Sequence, residues 1–151
     1  MVEARCIGLN GTFLPLLSVD MWISADPGAT YVVKEACVIV QRTSNRLQQR
    51  RINAAELPQG YLDRYGDIIG ENHVIFVRPY GEPVISPRAL ARLFNSRPLN
   101  DRFARICGTI SLPVSLLNTL DMPDPAKIQS LETCPESEVN SLVEAAYSSS
   151  H

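Results

Sequence analysis

The basic segment 42–51 carries the side chains in this sequence that are best suited to bind phosphate. Its arginines are Arg42, Arg46, Arg50 and Arg51. Arginine offers a planar, permanently charged fork that matches phosphate oxygens and guanine edges. Neutral groups beside it, such as the Thr43 hydroxyl, can reach other base edges. This mixture predicts contact with DNA, and the alternative is a solvated hairpin that keeps a strand edge soluble.

A second pair of arginines, Arg102 and Arg105, is spaced three residues apart in a predicted helix. Residues at this spacing share one helical face. We therefore expect both guanidinium groups on one surface, with Phe103 and Ile106 facing the core. The alternative is an ordinary amphipathic helix with a charged outer face.

His73 is the one internal histidine, and it lies beside Asn72 at the start of a predicted strand. General acid–base catalysis needs a partner within hydrogen-bonding reach. Glu71 is a candidate partner by proximity in the sequence only. A structural role or a hydrogen bond to DNA is therefore favoured over catalysis.

The sequence indicates no catalytic residue, no metal site and no cofactor. It has no Gly-rich phosphate loop and no nucleophile elbow. The cysteines form no Cys-x-x-Cys pair, which makes a structural zinc site unfavourable, and free thiols fit a reducing compartment. The cysteines are Cys6, Cys37, Cys107 and Cys134.

The charges are distributed unevenly along the chain, although the net charge is only −2. Residues 1–120 hold 13 basic and 10 acidic side chains, and 12 of the 13 are arginines. Residues 121–151 hold six acids against one lysine. This asymmetry permits a basic face for nucleic acid on a protein that is acidic overall.

Strand-like segments precede helical ones, which predicts an α+β domain with a small mixed or antiparallel sheet and helices following in the C-terminal half. The predicted strands are 30–41, with a break near Lys34, 52–57 and 72–77, and a short strand at 109–112. The predicted helices are 86–95, capped by Ser86, 99–106, a short one capped by Ser115, and an acidic one at 135–147. Two prolines predict an extended segment at 121–125.

Several of these segments, in this order, resemble a known family. They are Ala-Cys-Val-Ile-Val-Gln-Arg-Thr-Ser at 36–44, Arg-Arg-Ile-Asn-Ala-Ala at 50–55, Glu-Asn-His-Val-Ile-Phe-Val-Arg-Pro at 71–79, the helix end Asn95-Ser96, the turn Gly108-Thr109 and the close Met-Pro-Asp-Pro at 122–125. The combination, covering about residues 30–125, resembles the target recognition domain of bacterial adenine-specific DNA methyltransferases and of restriction specificity subunits. Each motif is short, and it is their order that carries the resemblance.

The resemblance implies a domain that binds the major groove of a specific duplex and positions an adenine for a separate catalytic domain. The 151 residues contain neither the S-adenosylmethionine loop nor the Asn/Asp-Pro-Pro-Tyr/Phe motif of that catalytic domain. A split subunit, a gene fragment, a cloned domain and a reused module are all compatible with this departure. By position, the DNA contacts that the resemblance implies are Arg42, Thr43, Arg46, Arg50, Asn72, His73, Gly108, Thr109 and Ser111.

We therefore expect one target-recognition-like domain over residues 1–151 that reads double-stranded DNA and is non-catalytic on its own. Arg51, Arg102 and Arg105 complete the predicted DNA-binding set. A separate methyltransferase catalytic subunit is the expected protein partner, and the acidic helix would dock on it or on the domain's own core. We expect no cofactor, no membrane and a cytoplasmic location. The alternatives are a protein interaction module that has lost DNA binding, and a small enzyme that uses His73.

Overall fold

The fold is built around a three-stranded antiparallel sheet in the order β2-β1-β3. The computed structural model describes residues 1–8, 11–15, 24–26, 28–44, 48–108 and 111–148. In this part of the chain β1 covers Cys37–Gln41, β2 covers Ala54–Leu57 and β3 covers Val74–Val77. β1 is central, because Val38 pairs with Glu56 of β2 and with Val77 of β3. The predicted α+β class is confirmed, and of the two sheet types that were predicted, mixed or antiparallel, the sheet is antiparallel.

Most of the helical residues follow the sheet, as predicted. The α-helices of the described chain are α1 (Gln59–Tyr65), α2 (Pro87–Asn95), α3 (Arg97–Ile106), α4 (Val114–Leu117), α5 (Pro125–Ile128) and α6 (Val139–Ser148). Short 3-10 helices cover Ala4–Cys6, Gln129–Glu132 and Glu136–Glu138. α2 begins where its sequence indicates, because the Ser86 hydroxyl accepts a hydrogen bond from the Ala89 N–H (3.1 Å) and Pro87 needs no donor there.

Both faces of the sheet are covered, which explains why β1 is apolar without alternation. Side chains alternate between the two faces of a strand. Val38 and Val40 belong to a core cluster that includes buried residues of α2, α3 and α6. Cys37 and Ile39 belong to a second cluster with residues of the N-terminal segment and α1. The sheet is thus the middle of three layers.

The strand observed in the segment 30–41 is shorter than predicted, and the break predicted near Lys34 is present. Only Cys37–Gln41 joins the sheet. Val33 instead pairs with Ile68 in an isolated antiparallel bridge, with hydrogen bonds of 2.8 and 3.0 Å in the two directions. The β-branched residues before the break are therefore paired with a different segment of the chain.

Three details of the predicted helices are wrong. Ile106 does not face the core, since 55% of it is exposed at the last turn of α3. Ser115 does not cap α4, which begins one residue earlier after Pro113. Pro125 does not keep its surroundings extended; it opens α5, and Asp124 caps this helix by accepting from the Ala126 N–H at 3.0 Å. Proline is compatible with the first turn because that N–H has no helical partner.

The acidic C-terminal helix packs on the domain's own core. Val139, Val143 and Ala146 of α6 are buried in the cluster shared with α2 and α3. Glu144 of α6 and Glu138 of the preceding 3-10 helix are exposed. The amphipathic pattern is therefore satisfied within the chain, and the acidic side chains form its outer surface.

Candidate nucleic-acid interface

Three segments of the chain meet at one end of the sheet. Because β1 is antiparallel to both neighbours, its last residue lies between the first residues of β2 and β3. The Gln41 N–H donates to the Asn53 carbonyl (2.8 Å), on the β2 side. The Arg42 N–H donates to the His73 carbonyl (2.8 Å), on the β3 side. The start of the basic segment and the turn before β3 are therefore direct neighbours.

The segment after α3 joins the same end. Ser111 pairs with Thr43 in an isolated antiparallel bridge. The Leu112 N–H donates to the Arg42 carbonyl (2.7 Å). We call this surface the basic end, and it comprises Arg42, Thr43, Arg50, Arg51, Asn72, His73 and Ser111.

Arg42 is the centre of the basic end. Its side chain is exposed, and its Nη1 lies 3.5 Å from the Asn72 carbonyl oxygen. Beside it, Gln41 Nε2 donates to the Thr43 carbonyl (2.6 Å), while Gln41 Oε1 accepts from Gln48 Nε2 (3.3 Å). Gln41 was not predicted as part of the site. The signal that could have found it is an amide side chain at the end of a buried apolar strand.

Arg50 and Arg51 are held where the basic segment returns to the sheet. Arg50 Nη1 lies 3.4 Å from the Asn95 carbonyl oxygen. The Arg51 N–H donates to Oδ1 of Asn100, which is only 6% exposed (2.9 Å). The backbone that carries both arginines is thus attached to the junction between α2 and α3.

Asn95 closes the outer edge of β2 with its side chain. Its Oδ1 accepts from the Ala54 N–H (2.9 Å) and its Nδ2 donates to the Ala54 carbonyl (2.8 Å). The amide takes the place that a neighbouring strand would occupy. A side chain on Gly11 would leave its Cβ 2.4 Å from the Asn95 Nδ2, so only glycine fits beside this contact. The helix end Asn95-Ser96 therefore has a structural role at the site.

The turn before β3 presents Asn72 and His73 to solvent. Both residues are exposed. Glu71 does not pair with His73; its Oε1 accepts from the Ala4 N–H (3.1 Å). Within the described residues no side chain bonds the His73 ring, so the arrangement offers no acid–base pair to support catalysis.

The other predicted contacts are distributed differently. The Arg102 guanidinium carbon lies 3.9 Å above the ring centroid of Tyr147, which ties this arginine to α6. Arg105, on the last turn of α3, and Gly108 are exposed. No bond joins either arginine to the basic end in the described chain. Arg46 and Thr109 lie outside the described residues.

The described residues offer neither a metal site nor a membrane-spanning helix. No group of three or more His, Cys, Asp or Glu side chains in the described segments could hold a metal ion. None of the helices described is long and apolar enough to cross a membrane. Comparisons with family models, with curated proteins and with solved structures found no match to this chain. The residues of the basic end are therefore the only guide to what this surface can bind.

Proposed function

We propose that this protein is a sequence-reading, double-stranded DNA-binding module that is non-catalytic on its own. The observation that carries the proposal is the convergence of separate chain segments at the basic end. Arg42 is bonded through its backbone to His73 and Leu112, and Thr43 pairs with Ser111. Residues up to 69 positions apart in sequence thus form one surface of arginines and neutral polar groups. Arg42, Asn72, His73 and Ser111 are exposed there, and the other members are half-buried.

The composition of the basic end fits duplex DNA better than it fits a general anion. Arginines neutralise phosphates and supply most of the affinity, while amide, hydroxyl and imidazole groups can distinguish base edges in the major groove. Both kinds of group are present, and they stand on backbone that is hydrogen-bonded to the sheet. Recognition benefits from this because the backbone that carries these groups has little conformational entropy left to lose on binding.

The cellular role that we propose is target recognition in a restriction-modification or DNA methyltransferase system. The resemblance of residues 30–125 to target recognition domains supports this role. The chain carries no catalytic motif of such enzymes, so a separate methyltransferase catalytic subunit would perform the chemistry. Duplex DNA and that subunit are the two proposed partners.

The net acidity of the C-terminal part favours a second candidate, a protein interaction module that keeps the fold without binding DNA. Glu136, Glu138 and Glu144 are all exposed. Such a surface repels phosphate and suits a basic partner. This candidate predicts no duplex affinity at any salt concentration.

The test is duplex DNA binding measured over a range of salt concentrations, with the double variant Arg42→Gln/Arg50→Gln. Each arginine that contacts a phosphate adds about 0.9 to the slope of log K against log salt. We expect binding by the unmodified protein to weaken steeply with salt. We expect the variant to bind more weakly at low salt, with a slope smaller by roughly 2.

The matched control is Arg78→Gln/Arg88→Gln, which removes the same charge elsewhere. Arg78 follows the last residue of β3, at the opposite end of the sheet, and like Arg42 and Arg50 it donates to a backbone carbonyl, that of Thr30 (2.9 Å). The control should leave the salt slope nearly unchanged. Absence of duplex binding, or equal slopes for the two double variants, would overturn the proposal.

A further inference from the structure

The turn that carries Asn72 is fixed on both sides by bonds from other segments. On one side, the Glu71 N–H donates to the Val2 carbonyl (3.0 Å) and the Glu71 carboxylate accepts from the Ala4 N–H (3.1 Å). On the other side, Arg42 holds the carbonyls of both Asn72 and His73. The turn therefore has a defined position relative to the sheet.

The Asn72 side chain has no part in holding this turn. Asparagine usually stands in turns for one of two reasons: its side chain bonds the backbone two residues on, or its backbone adopts a positive φ. No described residue other than glycine has a positive φ. In the described chain no hydrogen bond involves the Asn72 amide group, although its own carbonyl is bonded by Arg42. The amide is exposed and available.

We propose that Asn72 is a base-reading residue of the basic end and that it selects an adenine in the major groove. This inference rests on the proposed DNA-binding function. An asparagine amide offers one donor and one acceptor side by side, which match the N7 acceptor and N6 donor of adenine. The other base pairs do not present that combination to an asparagine equally well.

Arg42 is the positioning residue for Asn72 in this arrangement. Its guanidinium reaches the Asn72 carbonyl, and its backbone N–H reaches the next carbonyl along. A side chain that reads a base must be held to a fraction of an ångström. One residue thus contributes positive charge towards phosphate and also holds the reading turn against β1.

The experiment is selection of bound duplexes from a random-sequence library at about 0.15 M salt, where non-specific binding is weakened. The proteins are the unmodified chain, Asn72→Ala, Asn72→Asp and, as a control, Arg88→Ala. Arg88 is exposed in the first turn of α2, outside the basic end. Thermal unfolding of each variant verifies that the fold is intact.

We expect the unmodified chain to select a motif with at least one adenine that Asn72→Ala no longer selects, while the other positions persist. At that position the preference over other bases should fall roughly 5- to 150-fold, the value of one bidentate contact. Asn72→Asp should shift the preference towards cytosine, whose N4 group donates to a carboxylate. Arg88→Ala should leave the motif unchanged.

Selection of the same motif by Asn72→Ala and by the unmodified chain would overturn the reading role of Asn72 and leave the proposed function intact. Selection of no motif by the unmodified chain would instead overturn the sequence-reading function itself. The two failures are therefore distinguishable in one experiment.

Discussion

Three asparagines near the basic end differ in whether their side-chain amides form hydrogen bonds. Asn95 and Asn100 direct both ends of their amides at backbone groups. Asn72 keeps its amide exposed. A buried amide with all its bonds made stabilises one geometry, and an exposed amide without a bond is available to a ligand. The first two therefore hold the interface in place, and the third is available for recognition.

The Asn100→Ala variant tests whether the Asn100 amide stabilises the backbone around it. Asn100 accepts from the backbone N–H groups of Arg51 and Ile52, and donates to the carbonyls of Phe94 and Ser96. Removal of the amide leaves buried groups without partners, so we expect the free energy of unfolding to fall by about 3 kcal/mol. Urea denaturation followed by circular dichroism measures it.

Asn140→Ala is the matched control for that variant. Asn140 is exposed and its Oδ1 accepts one backbone bond, from the Arg97 N–H (2.8 Å). We expect a loss below about 1 kcal/mol, because water can replace an exposed partner. Equal losses of unfolding free energy for the two variants would show that Asn100 does not stabilise the backbone at Arg51 and Ile52.

At the scale of elements, helix starts in this protein depend on which side chain reaches the first free N–H groups. α2 has Ser86 as its cap, and α5 has Asp124. α4 follows Pro113 and has no side-chain cap, although Ser115 lies within its first turn. Two serines near helix starts thus have different roles.

The variants Ser86→Ala and Ser115→Ala separate these roles. The Ser86 hydroxyl accepts from the Ala89 N–H and also donates to the Glu132 carboxylate. Its loss should lower the free energy of unfolding by about 1–2 kcal/mol. The exposed Ser115 should change it by less than about 0.5 kcal/mol. A larger loss from Ser115→Ala, measured by thermal or urea unfolding, would contradict the assignment of the α4 start.

At the scale of the whole molecule, a single sheet separates two apolar clusters, and each contains an ionisable group kept neutral by burial. Burial raises the pKa of the Cys37 thiol from 9.0 to about 12 in the cluster that includes α1. Burial also raises the pKa of Tyr147 from 10.0 to about 12 in the cluster that includes α6, against the opposing effect of Arg102. Both layers therefore favour protonated side chains.

Stability should consequently fall at alkaline pH. The unfolded chain loses the Cys37 proton near pH 9 and the Tyr147 proton near pH 10, whereas the folded chain keeps both until about pH 12. Unfolding therefore releases protons in this range, and the free energy of unfolding falls by up to about 1.4 kcal/mol per pH unit for each group. Below about pH 8 these two groups add no pH dependence.

Urea denaturation from pH 8 to pH 11 tests this prediction. The double variant Cys37→Ala/Tyr147→Phe lacks both ionisable groups. We expect it to be less stable at pH 8, because a cavity forms and the Tyr147 bond to the Asp121 carbonyl is lost, but to have a flatter dependence on pH. Parallel curves for the variant and the unmodified chain would contradict the burial of these groups.

Part of the site could be foreseen and part could not. The sequence indicated Arg42, Asn72 and Ser111 as candidate contacts, but only the antiparallel register and the Thr43–Ser111 bridge bring them to one surface. Arg102 was predicted beside Arg105 on helical spacing, which contains no information on Tyr147. That ring comes from α6, at the far end of the chain, and its stacking removes Arg102 from the predicted group.

The sequence by itself determined the class of fold and the approximate positions of β2, β3, α2, α3 and α6, because apolar periodicity, Ser86-Pro87 and the β-branched runs act locally. It also determined that the arginines lie in residues 1–120 and that the net negative charge lies in residues 121–151. Only the tertiary structure decided which polar side chains form hydrogen bonds within the protein. Asn95 bonds the outer edge of β2, and Asn100 bonds the N–H groups of Arg51 and Ile52 just before that strand. α6 packs on the core that it shares with α2 and α3. These outcomes depend on pairing between distant segments, and no local pattern specifies which buried backbone groups will need a partner.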